Sequence, residues 1–239
     1  MCHSDASRPP AAPGAVAAAG DSPLELQSAD GTRVLAHQAR PTTPTGVGIL
    51  VLPDVRGLHD YYRQLAVRFA ETGAESVAID WFGRTADGDD RTEAFAFRPH
   101  VEQTTPEGIA ADVAAGVAQL RERGATRIFT VGFCFGGSFS WRQSADTEGL
   151  AGCVGFYGRP SLVADAVDRM RAPLLMLIAG ADANLPLADT EALATAAGAQ
   201  VPVELVVFDG APHSFFDRSF AEHEAACARA WAEIQRFTA

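Results

Sequence analysis

The sequence is poor in cysteine, and this shortage excludes a secreted disulfide scaffold. Its 239 residues include 4 cysteines, and no two of them form a C-x-x-C pair. Cysteines this few and this scattered make neither a disulfide framework nor a zinc or dithiol motif. The usage fits a reducing compartment, so we expect a cytoplasmic protein.

Basic residues and long apolar runs are also scarce. The chain carries 19 Lys and Arg against 30 Asp and Glu, a formal net charge of −11. A nucleic-acid-binding protein needs a basic face that displaces counterions from phosphates, so this balance argues against such a partner. The longest apolar runs, near residues 47–53 and 173–179, fall far below the roughly 20 residues that span a bilayer. We expect no nucleic-acid or membrane partner, and a monomer or a homodimer.

The first twenty residues are rich in Ala and Pro. They do not resemble a signal peptide, because Asp5 stands where positive charge should dominate and several prolines break any apolar helical core. We therefore expect a disordered or loosely packed tail over residues 1–22. Residues 23–239 are few enough for one hydrophobic core and are predicted to form a single domain.

From about residue 24 onward, apolar strand-like runs alternate with segments of helical period. This alternation is typical of an α/β protein with a mostly parallel sheet covered by helices on both faces. The eight predicted strands cover residues 24–27, 34–38, 47–52, 76–80, 127–131, 150–157, 174–179 and 203–209. An Asp30-Gly31 turn joins the first two strands, which should be antiparallel. The long polar connection over residues 82–104 is of a kind that often lines a binding site.

The segment Gly132-Phe133-Cys134-Phe135-Gly136-Gly137 follows an apolar strand and opens a predicted helix. This is the pattern of a nucleophile elbow, with cysteine in the usual serine position. Small residues are needed at Gly132 and Gly136, because the strand-to-helix turn is so tight that side chains there would clash. The helix N-terminus also favours the thiolate form of Cys134. The alternative is that Cys134 is a small buried hydrophobic residue, as most lone cysteines are.

A cysteine nucleophile needs a base and a carboxylate that orients the base. Asp182 follows the apolar run 174–179, and His213 follows the run 203–209. The order nucleophile, acid, histidine is the one expected of α/β-hydrolases, so we predict Cys134, Asp182 and His213 as the triad. Asp182 is the less specific assignment, because Asp189 lies nearby and loop aspartates also cap helices.

These motifs together resemble the dienelactone hydrolase family, the cysteine branch of the α/β-hydrolase fold. The resemblance runs from about residue 24 to the C-terminus and rests on four segments: GFCFGG around Cys134, the loops of Asp182 and His213, LPDVRGLHDYYR near Asp54, and IDWFGR ending at Arg84. It implies hydrolysis of a small enol-lactone or activated carboxylic ester through a thioester acyl-enzyme, with no metal and no organic cofactor.

The resemblance also implies roles for residues outside the triad. Asp54 matches an acidic residue, more often glutamate, that contacts the nucleophile's thiol and takes part in its activation; the alternative is a loop carboxylate that faces solvent or pairs with Arg56. The backbone N–H groups of Val55 and Phe135 are the predicted oxyanion hole. Arg84 matches an arginine that holds the substrate carboxylate.

Arg218, five residues after His213, is the predicted second arginine of the substrate site. Arginine suits that task because its planar fork binds a carboxylate at two points. Arg56 and Arg142 are alternatives to it, and a surface-charge role is open for each of these side chains.

Two other functions use the same residues. A general carboxylesterase or thioesterase would share the triad and differ in its pocket. A non-enzymatic sensor would use a reactive Cys134 to detect oxidants or electrophiles. Sensors commonly have a nearby resolving cysteine, and Cys153 is only a remote candidate for that.

Overall fold

The computed structural model describes residues 3–183, 185–217 and 221–239. Its centre is a sheet of eight strands: β1 (Gly20–Gln27), β2 (Arg33–Arg40), β3 (Val47–Leu52), β4 (Glu75–Ile79), β5 (Arg127–Phe133), β6 (Gly152–Phe156), β7 (Leu174–Ala179) and β8 (Val203–Phe208). The spatial order is β1-β2-β4-β3-β5-β6-β7-β8. β2 is antiparallel to both of its neighbours, and the pairs from β4 to β8 are parallel. The predicted mostly parallel α/β sheet is confirmed.

The described residues form six α-helices: α1 (Asp60–Ala70), α2 (Arg98–Val101), α3 (Pro106–Glu122), α4 (Phe135–Asp146), α5 (Leu187–Gly198) and α6 (Glu224–Thr238). α1 and α6 pack on one face, and α3, α4 and α5 pack on the other. β3 shows the period of two that separates these cores, since Ile49 and Val51 point to the first and Leu50 and Leu52 to the second. Short strands fully buried on both faces are typical of parallel sheets.

The helix borders follow local chemistry. Thr105 caps α3, because its side chain accepts a hydrogen bond from the Gly108 N–H at 3.1 Å, and Pro106 occupies the first turn. The connection over 82–104 is irregular except for α2. Its path is fixed by Arg91, whose guanidinium donates to both carboxylate oxygens of the buried Asp80, at 3.0 and 2.7 Å.

The N-terminal segment differs from the expected loose tail. β1 begins at Gly20 rather than near residue 24, and residues 3–12 carry buried side chains, among them His3, Ser7 and Ala12. Trp231 on α6 donates its indole N–H to the Pro10 carbonyl at 3.1 Å. Residues 3–12 form no helix or strand, and they contain a turn at residues 5 and 6. Whether the independently folding domain begins at residue 23 stays a prediction.

In the part of the chain that the structure describes, no helix combines the length and apolar character that crossing a membrane requires. The carboxyl ends of β3, β5, β7 and β8 meet at one edge of the sheet. Asp54, Cys134, Asp182 and His213 each follow one of these ends, so the topology brings together loops far apart in sequence.

Candidate active site

Cys134 lies at the sharp turn between β5 and α4. Its backbone has φ 55° and ψ −112°, a left-handed conformation that non-glycine residues rarely adopt. The Cys134 N–H donates to the Phe156 carbonyl at 3.0 Å, and the Cys134 carbonyl accepts from the Ser138 N–H at 3.1 Å. Hydrogen bonds on both sides therefore hold the turn that presents the thiol.

Two positions of the elbow require glycine because a side chain there would clash with neighbouring backbone. A Cβ at Gly132 would lie 1.9 Å from the Gly136 carbonyl oxygen, and one at Gly136 would lie 2.2 Å from the Leu52 carbonyl oxygen. Both separations are far shorter than atoms tolerate. The end of β5, the start of α4 and the end of β3 thus come into backbone contact, as the elbow pattern predicts.

The structure brings Cys134, His213 and Asp182 together. His213 Nδ1 hydrogen-bonds the Asp182 carboxylate, and the His213 imidazole also hydrogen-bonds the Cys134 side chain. The Asp182 side chain is buried, whereas a quarter of the His213 side chain is exposed. An imidazole held by a buried carboxylate on one nitrogen and by a thiol on the other has the arrangement of a nucleophile, base and orienting acid.

The charge on His213 is set by three influences. Burial lowers the pKa of His213, but the Cys134 side chain and the Asp182 carboxylate outweigh it and hold the pKa above its ordinary value. The imidazolium form is therefore stabilised beside the sulfur. That is the form that could accompany a thiolate.

Tyr157 and Ser214 border the same site with unusual backbones. In residues 3–183, 185–217 and 221–239, positive φ outside glycine occurs at Cys134, at Tyr157 (37°) and at Ser214 (66°). Tyr157 directly follows β6, and its ring lies 4.6 Å from the His213 ring, centroid to centroid. Strained backbones commonly cluster at functional sites, and all three here surround the histidine.

The two amides predicted to form the oxyanion hole belong to Val55 and Phe135. Phe135 is the first residue of α4, and Val55 lies in the loop after β3. Within the described residues, no protein acceptor receives a hydrogen bond from either N–H. Free amides at a helix start and in a rigid loop are suited to binding a developing negative charge.

The loop that carries Val55 is fixed by buried side chains from β4 onward. Trp81 donates its indole N–H to the carbonyl of Asp54 at 3.1 Å. Asp80 accepts from the Leu58 N–H at 2.8 Å and from the Phe82 N–H at 3.0 Å. A side chain at Gly57 would collide with Asp80 Oδ1 at 2.2 Å. Asp80 lies in the segment IDWFGR, but its hydrogen-bond partners become neighbours only in the fold.

Asp54 is fully buried, so the solvent-facing alternative for it does not hold. Its Oδ1 accepts from the Arg56 N–H at 2.8 Å, and its Oδ2 lies 3.8 Å from Nε2 of His59. Burial raises the pKa of Asp54, but His59, His3 and the Arg56 N–H outweigh burial and lower it below the ordinary value. The lowered pKa favours the ionised carboxylate, and the role of Asp54 in activating the thiol stays a prediction.

The predicted substrate arginines have different outcomes. Arg84 binds two carboxylates, with Nε 3.0 Å from Asp30 Oδ2 and a terminal nitrogen 2.7 Å from Asp112 Oδ2. This pairing joins the β1–β2 turn to α3. Arg218 lies outside the described residues. The role of these two arginines in substrate binding stays a prediction.

The two alternative arginines are also engaged. The Arg56 side chain is fully buried, with a terminal nitrogen 3.4 Å from Asp5 Oδ1. Arg142 pairs with Asp146 at 2.9 Å and with Asp165 at 2.6 Å.

Arg159 was missed by sequence reasoning. It follows Tyr157 and Gly158 after β6, its side chain is exposed, and no carboxylate among the described residues pairs with it. Its N–H donates to Ser138 Oγ at 2.7 Å, and that hydroxyl donates to the Cys134 carbonyl at 3.2 Å. Arg159 lines an open cavity of about 730 Å³ that continues past Leu185 to α5. Its place at the end of a predicted strand was the signal available.

The remaining described thiols are structural. Cys153 and Cys227 are buried, and burial raises their pKa to about 12 and about 11. Neither has the character of a resolving thiol for a redox sensor. In residues 3–183, 185–217 and 221–239, no three His, Cys, Asp or Glu side chains are arranged to hold a metal ion.

Named proteins from other organisms are similar to this chain in sequence. Over 212 residues the chain is 27% identical to a Salmonella typhi protein named "Putative carboxymethylenebutenolidase", covering 82% of this chain and 78% of that one. It is 27% identical over 206 residues to a Bradyrhizobium protein named "Probable 2-oxo-3-(5-oxofuran-2-ylidene)propanoate lactonase", covering 79% and 81%.

Solved structures share the fold. The crystal structure of a Klebsiella pneumoniae protein described as a "Putative Dienelactone Hydrolase" superposes with a TM-score of 0.76 at 25% identity, covering 90% of this chain and 97% of that one. A Pyrococcus furiosus esterase, at 15% identity and a TM-score of 0.71, shares the fold over 92% of this chain and 94% of its own. Residues 34–239 match the dienelactone hydrolase family, and the chain therefore belongs to that family of hydrolases.

Proposed function

We propose that this protein hydrolyses small enol-lactones or activated carboxylic esters with the triad Cys134, His213 and Asp182. The observation that supports this proposal most is the contact of His213 with the Cys134 side chain and with the buried Asp182 carboxylate. The names of the matched relatives point to the same chemistry, since both describe lactone hydrolysis. The cysteine usage supports a cytoplasmic location. The proposed enzyme acts as a monomer or a homodimer.

The first half of the reaction forms a thioester. Asp182 occupies Nδ1 of His213, so Nε2 receives the thiol proton of Cys134. The sulfur attacks the carbonyl carbon, and the N–H groups of Val55 and Phe135 bind the oxyanion of the tetrahedral intermediate. Collapse breaks the bond to the leaving oxygen, and the His213 imidazolium can return its proton to that oxygen. The acyl group is left on Cys134.

The second half releases the acid. His213 removes a proton from water, the resulting hydroxide attacks the thioester carbon, and the same two amides stabilise the second tetrahedral intermediate. The carbon–sulfur bond then breaks, the carboxylic acid leaves, and the proton on His213 returns to the sulfur. Asp54, buried in the loop beside Val55, is the proposed second acid residue that takes part in thiol activation.

The nucleophile restricts the substrate. A thiolate is a good leaving group, so a tetrahedral intermediate with an alkoxide or amine leaving group returns to substrate. Enol-lactones and aryl esters release enolate or phenolate leaving groups, which are stabilised anions, so their tetrahedral intermediates proceed to the thioester. Peptides release an amine, so their intermediates do not. For a substrate that carries a carboxylate, Arg84, Arg218 and Arg159 are the proposed partners.

The test compares dienelactone with p-nitrophenyl acetate on wild-type protein, Cys134→Ala, and the matched control Cys153→Ala, which removes a buried thiol from the interior of β6. Turnover that survives in Cys153→Ala and is lost in Cys134→Ala supports the mechanism. Intact-protein mass spectrometry should show an acetyl group on wild-type Cys134 during the aryl-ester reaction. Normal turnover by Cys134→Ala would overturn the proposal.

The substrates separate the related functions. Cysteine-dependent preference for the lactone supports a dienelactone hydrolase. Activity on the aryl ester alone supports the general carboxylesterase or thioesterase. Alkylation of Cys134 by iodoacetamide without turnover of either substrate supports the sensor.

A further inference from the structure

The loop that carries His213 contains strained backbone. Ser214, the next residue, has a positive φ of 66°, and the rings of Phe215 and Phe216 that follow it are fully buried. A strained residue keeps its conformation only where the surrounding structure fixes it from more than one side. The position of the His213 imidazole therefore depends on the contacts that hold this loop at both ends.

The end of the loop before His213 is tied to the sheet. The Ala211 N–H donates to the carbonyl of Phe208, the last residue of β8, at 3.1 Å. The Ala211 carbonyl accepts from the N–H of Ala181, which directly precedes Asp182, at 2.9 Å. Backbone hydrogen bonds thus fix this end to β8 and to the loop of the orienting acid.

The end of the loop beyond Ser214 is held by side chains of two helices. The Cys227 thiol on α6 donates to the Phe215 carbonyl at 3.3 Å. The Tyr61 hydroxyl on α1 donates to the Phe216 carbonyl. These two bonds fix the carbonyls of the two residues that follow the strained position.

Asp217, the next residue of the loop, is held by the N-terminal segment, residues 3–10. Its side chain is fully buried, and its Oδ1 accepts from the Arg8 N–H at 3.0 Å. The His3 ring also faces it, with Nδ1 3.6 Å from Asp217 Oδ2. Asp217 is out of contact with water, so water cannot replace the bond to Arg8 unless the loop or the segment moves.

The segment reaches the loop at a second point, through Tyr61. The His3 ring stacks on the Tyr61 ring with 3.7 Å between centroids and 10° between planes. Tyr61 is the residue whose hydroxyl binds the Phe216 carbonyl. The segment thus supports two successive residues of the His213 loop, Asp217 directly and Phe216 through Tyr61.

The N-terminal segment is itself fixed to the rest of the fold. Trp231 on α6 donates its indole N–H to the Pro10 carbonyl at 3.1 Å. Asp5 and Glu93 exchange two hydrogen bonds, at 3.0 and 3.1 Å, between backbone N–H groups and carboxylates. The Arg8 N–H lies between these two attachments along the chain, so a supported backbone presents it to the loop.

We propose that Asp217 is a positioning residue for His213: by accepting the Arg8 N–H, it lets the N-terminal segment hold the loop in the conformation that presents the imidazole to Cys134. This role rests on the proposed function for the catalytic use of His213. The segment precedes residue 34, where the family match begins, so part of the support of the active site comes from outside the matched region. A merely structural segment would add stability and leave the motion of His213 unchanged.

The test removes the bond from each side. Arg8→Pro lacks the N–H, whereas the matched control Arg8→Ala keeps it and loses only the guanidinium, which donates to the carbonyls of Asp5 and Ser7. Asp217→Leu lacks the acceptor, whereas Asp217→Asn keeps an oxygen that can accept from the same N–H. Asp217→Leu also stands in for Arg8→Pro should the proline hinder folding.

Two readouts report on His213. In steady-state hydrolysis of p-nitrophenyl acetate, Arg8→Pro and Asp217→Leu should lower kcat by about tenfold and change KM little, since a misplaced base slows the chemical step. The ring ¹H–¹³C signal of His213, assigned by its absence from His213→Gln, should broaden in both variants from exchange on the microsecond-to-millisecond timescale. Arg8→Ala and Asp217→Asn should behave like wild type in both measurements.

Combining the variants tests whether they act through one bond. Arg8→Pro/Asp217→Leu should lose no more kcat than either single variant, because both substitutions remove the same contact. Losses that multiply would overturn the proposal.

A lower melting temperature with an unchanged His213 signal and an unchanged kcat would also overturn it, because the bond would then serve stability alone. The NMR signal does not depend on turnover. An absence of Cys134-dependent hydrolysis would therefore defeat the proposed function, while a broadened His213 signal in Arg8→Pro would still support the positioning role of Asp217.

Discussion

The ring of Tyr157 packs on the imidazole of His213, with 4.6 Å between the ring centroids and 51° between their planes. Asp182 fixes one nitrogen of His213, and the Tyr157 ring limits rotation of the imidazole about that bond. Tyr157→Leu should therefore lower kcat by about tenfold, the cost of loosening a general base. Tyr157→Phe, which keeps the ring, should lose less. Steady-state kinetics with p-nitrophenyl acetate would measure both, and equal losses would contradict the packing argument.

A second prediction concerns the glycines of the elbow. Gly132→Ala should abolish activity or folding, because its Cβ would lie 1.9 Å from the Gly136 carbonyl oxygen. Gly198→Ala, at the end of α5, is the matched control, since a Cβ there meets nothing within 4 Å. The control should keep full activity and change stability by at most about 1 kcal/mol. Circular dichroism and ester turnover would report both variants, and an active Gly132→Ala would exclude the backbone contact described for the elbow.

Stability should depend on pH through His213. Its folded-state pKa is raised above the unfolded value of 6.5, so its contribution is fully present below pH 6.5 and is lost as the pH rises through the folded pKa. Asp182→Asn removes one of the groups that raise this pKa. The free energy of unfolding should be higher for wild type than for Asp182→Asn. This difference should be about 1 kcal/mol larger below pH 6.5 than well above it.

Denaturant titrations at several pH values would measure that difference. Asp189→Asn is its control, because Asp189 is exposed at the start of α5. A difference between wild type and Asp182→Asn that is the same at every pH would show that the carboxylate does not raise the pKa of His213. In kinetics, Asp182→Asn should reduce kcat by about three to four orders of magnitude.

Arg84 has a structural role that a stability measurement can isolate. Arg84→Gln would leave the buried Asp112 without its cation and should cost about 1 to 2 kcal/mol, less than a fully buried pair because Arg84 is partly exposed. Arg33→Gln is the control, since Arg33 pairs with Glu25 and Asp89 at the surface. It should cost close to nothing. Urea denaturation would compare the two, and a KM for dienelactone that rises in Arg84→Gln would also support the predicted substrate contact.

Arg159 offers a test of substrate charge. Arg159→Ala should raise KM for an ester that carries a carboxylate by about tenfold and leave KM for a neutral ester unchanged, because only the anion loses a charged partner. The comparison uses dienelactone and p-nitrophenyl acetate, with Arg169→Ala, a surface arginine paired with Asp146, as control. An equal effect on both substrates would indicate that Arg159 shapes the cavity without recognising charge.

Sequence patterns predicted the parts of this protein that depend on neighbours along the chain. The strand 47–52 and the elbow around Cys134 follow from local periodicity and from glycines at fixed spacing. The approach of Asp182 and His213 follows from the topology, because parallel strands end at one edge. The physical reason in each case is that short-range pattern and fold class together determine the position.

The partners of charged side chains were not predictable in this way. Arg84 pairs with Asp30 and Asp112, which stand 54 and 28 residues away along the chain. The His3 imidazole lies 3.6 Å from the Asp217 carboxylate, although the two residues stand near opposite ends of the sequence. Such pairings depend on which loops the tertiary packing brings within a few ångströms, and Ala- and Pro-rich composition gave no sign that the N-terminal segment would pack.

The buried position of His3 has a practical consequence for how the protein can be fused to other sequences. His3 stacks on the buried ring of Tyr61, so a bulky group attached at His3 would disturb the packing of α1. By contrast, the carbonyl of Ala239 accepts a hydrogen bond from Arg127, the first residue of β5, about 20 Å along that strand from Cys134. Affinity handles, fluorophores and surface tethers therefore belong at the C-terminus, where the chain emerges from the edge of the sheet opposite the thiol.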